Sequence, residues 1–292
     1  MSGLELLRQW YAEPLFIDMV VITSFLSMGA FLVFALPLTL LAWWEPRWIR
    51  PYRIQERRPA GWPMMKAALK VFVLNNLLLF GLSVLLWPVF RLSSLHNGVE
   101  PTPLLMMGQI FCFVLLEDYL FYFFHRALHR DVFYRMIHGM HHRFRTPWAL
   151  AAHYMHPLEF LVSSGLVLVG PLILGAHVWT LWVWVVIRQA ISADGHSGYD
   201  LPFNPLRLLL VYRGPRLHDL HHARVEGNYG LMYILDRAFS SETGVKEERR
   251  VPRLQKYFGN RLSWTGWHRS SARTRRNNMG DATNMGDAGA YD

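Results

Sequence analysis

Cysteine is almost missing: the 292-residue chain has one, Cys112. No intrachain disulfide can form, which excludes a disulfide-stapled secreted scaffold. A cysteine-rich zinc module, a CxxC redox motif and an all-cysteine iron–sulfur cluster are excluded with it. A thiolate-ligated haem would rest on this single residue. Cys112 lies in the apolar run IFCFVLL and reads as a core residue. Charge is scarce too, with Asp, Glu, Lys and Arg at 17%, below the roughly one quarter of soluble domains. No GxGxxG stands in a strand-to-helix context and no HExxH is present, so neither a dinucleotide fold nor a zincin protease is indicated.

Apolar length takes the place of these features. Hydrophobic residues make up 52% and aromatics 14%, which excludes disorder for the bulk of the chain. The net charge of +9 would suit a nucleic acid or an anionic membrane face. The apolar runs favour the membrane, and no nucleic-acid partner is expected. About 20 apolar residues cross a bilayer. Residues 16–44, 69–91 and 103–124 are each long enough. Residues 157–194 form a further apolar block, split by Gly170, Pro171 and Gly175. It reads as two spans or a dipping hairpin, with both ends on one side. Loop 45–68 carries five Arg and one Lys, whereas 95–102 carries neither. The positive-inside rule then makes 45–68 cytoplasmic. Segments 125–156 and 195–270 fall on the same side.

The expected fold is all-α: a multi-span integral membrane helical bundle with a cytoplasmic helical cap holding a histidine-rich di-metal site. Residues 1–15 form a lumenal or exoplasmic segment and 16–124 the first transmembrane helices. Residues 125–245 form the catalytic region, including the membrane hairpin at 157–194. Residues 246–292 form a cytoplasmic C-terminal segment, disordered from about 270.

Histidine is the outlier. Fourteen are present, and twelve fall between His125 and His222. His125 and His129 make an HxxxH box. His138, His141 and His142 make an HxxHH box, repeated by His218, His221 and His222. On a helix, i, i+3 and i+4 share a face, so each box can present its imidazoles together. His153, His156 and His196 stand between the second and third boxes. Of these, His156 and His196 read as further metal ligands and His153 as a supporting residue. So many donors exceed the four to six that one ion takes, so two metals are implied. Asp118, two turns before box one, and Asp219, inside box three, are candidates to accept the free ring N–H of a ligand histidine. Phe144, Trp148, Tyr154, Trp182 and Trp184 are candidates to line a lipid path.

The runs LLEDYLFYFFHRALH, YRMIHGMHHRFRTPWALAAHYMHPLE, GHSGYDLPFNPL, RLHDLHHARVEGNYG and LDRAFSSETG resemble the sterol desaturase/fatty acid hydroxylase superfamily of membrane di-iron enzymes. In order and spacing they look most like its C4-methylsterol monooxygenases, over roughly residues 50–245. At His153 those oxidases usually have Glu, whereas sterol C5-desaturases have His. The resemblance implies that His125, His129, His138, His141, His142, His218, His221 and His222 bind two iron ions, joined by His156 and His196. It implies oxidation of a sterol C4 methyl group to alcohol, aldehyde and carboxylate, with O2 as co-substrate. Another lipid hydroxylase or desaturase of the superfamily is the alternative. Electrons would come from NAD(P)H through cytochrome b5 or a ferredoxin-type carrier, and a C4-decarboxylating dehydrogenase would act downstream. The location implied is the endoplasmic reticulum, or the inner membrane in a bacterium, with the site on the cytoplasmic side.

Overall fold

The computed structural model describes residues 2–56, 61–209 and 211–244. The C-terminal segment 246–292 expected from the sequence lies outside the described residues. Helix α1 (Gly3–Tyr11) opens on a capping box, in which Ser2 and Glu5 satisfy each other's backbone N–H. Three long apolar helices follow: α2 (Pro14–Trp44), α3 (Trp62–Phe90) and α4 (Pro103–Leu128), each long and apolar enough to cross a membrane. Helix α3 starts seven residues before the expected 69. Gly61 supplies its N-cap and Pro63 fits its first turn, where a missing N–H costs nothing. Helix α4 runs beyond 124 and carries His125 on its last turn.

Helix α2 is not regular throughout. Ile17–Ile22 widen into a π-helical turn, with Met19 and Val20 buried. The carbonyl of Asp18 takes a bond from the Thr23 hydroxyl, and Trp182 Nε1 donates to Thr23 Oγ1 at 3.0 Å. The polar groups of the wide turn are thereby satisfied inside the bundle, as apolar surroundings require.

After a short helix, α5 (Asp131–Met136), the chain crosses the bundle in two 3-10 turns, His138–Arg143 and Ala149–His153. Polar groups from the membrane helices hold this crossing. Thr39 Oγ1 accepts the Leu150 N–H, and Asn75 Nδ2 donates to the Met155 carbonyl, both at 3.0 Å. Helices α6 (Pro157–Ile173) and α7 (Val178–Gly195) form the hairpin. At their turn Gly175 takes a φ of +56°, a left-handed value that glycine adopts without strain. The turn bonds through Ala176 and Val178 to both backbone groups of His96, between α3 and α4. The hairpin therefore runs the full depth of the bundle. A β-branched or larger residue could not replace Gly170 on α6, where a Cβ would stand 2.7 Å from the Phe113 ring of α4.

At the opposite end, Ile54 and Asp200 bond to the backbone of Gly198 and Tyr52. The basic loop thus shares one side with the histidine region, as expected from the sequence. Helices α8 (Arg216–Arg224) and α9 (Ile234–Ala238) close that side. No strand forms among the described residues. Cys112 is exposed on α4 rather than buried, because the helix turns that face outward, away from the core.

Candidate metal centre

Nine imidazoles converge beside the ends of α4 and α7, in two groups. His125, His129, His138, His142 and His221 form the first, and His141, His196, His218 and His222 the second. Within each group one ring nitrogen per residue lies within 4.8 Å of the others. The two HxxHH boxes divide in mirrored fashion. In the 3-10 turn of box two, His138 and His142 join the first group and His141 the second. On α8, His218 and His222 join the second and His221 the first. Each i, i+4 pair serves one group, and each i+3 residue crosses to the other.

The rings are neutral, and all but the half-buried His129 are buried. Burial first, and neighbouring imidazoles second, pull His129 down to about 3. Burial holds His196 down to about 4 and keeps His138, His141, His218, His221 and His222 well below the ordinary histidine range. A neutral ring has one N–H and one lone pair. Their positions are set by outward acceptors. Nδ1–H of His125 donates to the Tyr229 carbonyl at 2.7 Å, and that of His221 to Gly227 at 2.6 Å. His196 donates to Ser192 at 2.8 Å, His222 to Phe144 at 3.0 Å and His141 to Tyr154 at 3.4 Å. His138 Nδ1 donates to Glu159 Oε1 at 2.7 Å. A carbonyl or carboxylate only accepts, so the proton sits on Nδ1 and the Nε2 lone pair points inward.

The inward nitrogens crowd together. Nε2 of His138 is 3.0 Å from Nε2 of His125, His129 and His142. Nε2 of His218 is 3.0 Å from that of His196. The inward Nε2 atoms of His221 and His222 have no protein partner. Buried lone pairs facing one another are what a divalent ion in each group would satisfy, and imidazole suits iron, zinc, copper and nickel.

A pH dependence follows. Unfolded histidines take protons near pH 6.5, whereas His129 and His196 in the folded chain do not until about 3 and about 4. The unfolded state therefore binds more protons between these limits, and stability falls as pH drops below about 6.5. Metal-depleted protein in detergent is expected to melt lower at pH 5 than at pH 7.5. A melting temperature unchanged between the two would contradict the neutral burial of these rings.

Residues 110–241 match the fatty acid hydroxylase family. The chain is 34% identical over 201 residues to methylsterol monooxygenase 1 of Danio rerio, covering 67% of this chain and 68% of the relative. It belongs to the fatty acid hydroxylase family. Methylsterol monooxygenase 1 of Gallus gallus is 32% identical over 219 residues, 72% of this chain and 74% of its own. A very-long-chain aldehyde decarbonylase of Oryza sativa is 31% identical over 216 residues, covering 72% and 80%. No solved structure matches the chain. Family membership and the three apolar helices make this an integral membrane oxidoreductase of the fatty acid hydroxylase superfamily, close to the methylsterol monooxygenases. The histidine groups and the family together indicate a non-haem iron centre.

Four residues predicted from the sequence of this fatty acid hydroxylase family member take other places. His156 stays outside both groups. It precedes Pro157, and its Nδ1 accepts the Leu158 N–H at 3.2 Å to cap α6. His153 is buried but lies flat on Phe31, ring centroids 3.7 Å apart, and burial lowers it to about 3. Asp118 accepts no imidazole N–H. Its Oδ1 takes the backbone N–H of Leu231 and Met232, each at 2.8 Å. Asp219, on α8 among the box-three histidines, accepts no imidazole N–H. Its buried carboxyl lies beside Gln55, and burial raises it to about 7.

The carboxylate that does serve a histidine is Glu159, which the sequence reading passed over. The available signal was an acid opening an apolar hairpin, where ionisable groups are costly. The loop 225–233 was passed over too. Its carbonyls at Gly227 and Tyr229 orient His221 and His125. Asp118 from α4 and Asp236 from α9 fix that loop by accepting four of its N–H groups. Asp118 thus acts on His125 through the backbone.

A cavity inside the bundle leads toward the imidazoles. Thr23, Ser24, Ser27, Ser163, Gln189 and Ser192 give it a polar side, and Met19 and Val20 of the π-helical turn also line it. A second cavity reaches His125, His138, His141, His196 and His218. Met155, Ser163, Arg188 and Ser192 line both. None of the five aromatic residues expected along this path lines either cavity. Trp184 is fully buried in core contacts instead, donating to the Val167 carbonyl.

Proposed function

We propose that this protein is a membrane di-iron monooxygenase that oxidises the C4 methyl group of sterol precursors through alcohol and aldehyde to carboxylate. The observation that carries the reading is the convergence of nine neutral imidazoles beside a cavity that extends into the membrane bundle. His125, His129, His138, His142 and His221 hold one iron in this reading, and His141, His196, His218 and His222 the other. Bound there, the irons would supply O2 reduction and hydrogen removal from an unactivated C–H bond. The chain's own residues do the rest. Glu159 and backbone carbonyls fix the tautomer and aim of His125, His138, His141, His196, His221 and His222. The buried groups exclude water, which protects a reactive centre from side reactions. The cavity admits an apolar lipid directly from the bilayer and leads its reacting carbon to the imidazoles.

No redox cofactor motif stands in the chain, so electrons come from NAD(P)H through an external carrier, cytochrome b5 or a ferredoxin. The five arginines of loop 45–68 support a centre on the cytoplasmic face, in the endoplasmic reticulum or a bacterial inner membrane. A dehydrogenase that removes the C4 carboxylate follows in sequence.

The test is product analysis. Membranes containing the protein receive a 4,4-dimethylsterol, O2, NADPH and a cytochrome b5 reducing system. The expected products are 4-hydroxymethyl, 4-formyl and 4-carboxy sterols, absent without O2. Failure of all three, with a long-chain aldehyde consumed instead, would replace the sterol reading with the chemistry named for the rice relative.

A further inference from the structure

Arg188 is the only Arg or Lys that lines either cavity among the described residues, and it lines both. It stands on α7, nearly two turns before Asp194, deep in an apolar hairpin. A guanidinium in such surroundings requires partners on its donors. One is evident: Nε donates to Glu117 Oε1 of α4 at 2.5 Å. The two terminal nitrogens donate to no protein atom among the described residues. At the same junction the Ser163 hydroxyl, its oxygen buried, has no partner either.

A pure ion pair would be expected to use the guanidinium fork on both carboxylate oxygens. Here Glu117 Oε2 is left without a partner, and the pair is joined through Nε and one oxygen alone. Arg188 lines both cavities, between the membrane path and the imidazoles. A planar pair of N–H donors matches a carboxylate best and a hydroxyl or carbonyl oxygen next.

We infer that Arg188 is a specificity-determining residue that binds the oxygen function on the reacting carbon of the lipid, with Ser163 beside it. The inference rests on the proposed oxygenation. It explains how one chain could carry a carbon through successive oxidations. An oxygen on the reacting carbon gives Arg188 an acceptor that the unoxidised methyl lacks, and the carboxylate is the strongest of the series, so the partly oxidised lipid stays in place rather than returning to the bilayer. Glu117 tempers the charge, so an unoxidised hydrocarbon still passes.

The test reads binding without turnover. Full-length, metal-loaded protein in nanodiscs, without O2 or reductant, is titrated with a 4-carboxysterol and its 4-methyl parent, and separately with stearate and octadecane. Wild type is expected to prefer each carboxylate by at least about tenfold, the equivalent of one charge-assisted hydrogen bond. Arg188→Gln combined with Glu117→Gln keeps the shapes and removes both charges. It is expected to lose the preference, whereas Arg188→Lys with Glu117 intact keeps part of it. A wild-type protein that binds carboxylate no better than methyl overturns the inference, whether or not the double variant can be recovered. A preference that survives in the double variant overturns it too. A charge-dependent preference for stearate alone keeps Arg188 in this role and rejects the sterol reading.

Discussion

His221→Ala is expected to lower turnover to below about one hundredth of wild type, because it removes a donor for which no replacement stands nearby. His221 is fully buried, and its ring centroid lies 4.6, 4.7 and 4.8 Å from those of His125, His129 and His142. Its Nδ1 is fixed by Gly227 at 2.6 Å, so the ring has one orientation, and Nε2 faces the first group unpartnered. The alanine leaves a void where the fifth imidazole stood and frees the loop carbonyl that aimed it. Expression and membrane insertion are expected to persist, since α8 lies outside the three long apolar helices. Metal analysis of the purified variant should give clearly less iron per chain than wild type. Undiminished oxidation by His221→Ala would reject the assignment of this ring to the centre.

Glu159→Leu is expected to reduce turnover or metal affinity by about 10- to 100-fold, the usual effect of deleting a carboxylate behind a ligand histidine. Glu159 and His138 are both buried, and the 2.7 Å bond between them is the hydrogen bond that His138 Nδ1 makes. Leucine fills a similar volume but accepts nothing. The Nδ1–H of His138 would then be stranded, and the ring would be free to turn its proton inward. Because His138 Nε2 lies 3.0 Å from three other ring nitrogens, that single turn disturbs the whole first group. Glu159→Gln keeps an acceptor without charge and should fall between wild type and leucine. Competition with a chelator separates metal loss from slowed chemistry. A leucine variant that keeps both iron and rate would show that the pair is structural.

Much of this was legible because spacing and hydropathy are local signals. The apolar runs gave three spans and a hairpin, and the three boxes named eight of the nine clustered imidazoles, with His196 the ninth. Orientation was not legible. His156 has the right residue type immediately before α6, which carries Glu159 into the site, yet Pro157 turns it into a helix cap. Asp118 and Asp219 have the right charge near the right histidines, but one bonds a distant loop and the other accepts no imidazole N–H. Glu159 belongs to the site through a contact 21 residues away in sequence, which no local window reveals. The turn of loop 225–233 depends on positive φ at Val225, Gly227, Asn228 and Tyr233, of which only glycine and asparagine commonly adopt that conformation.

The mirrored division of the two HxxHH boxes also bears on how a cell fills the centre. The 3-10 turn of box two and α8 each reach both groups through neighbouring residues, so in the proposed di-iron reading a first ion would fix the backbone that presents donors to a second. A chain starved of iron would then be expected to be empty rather than half filled, and maturation would be a single commitment that divides the pool of protein in a membrane into active molecules and blanks.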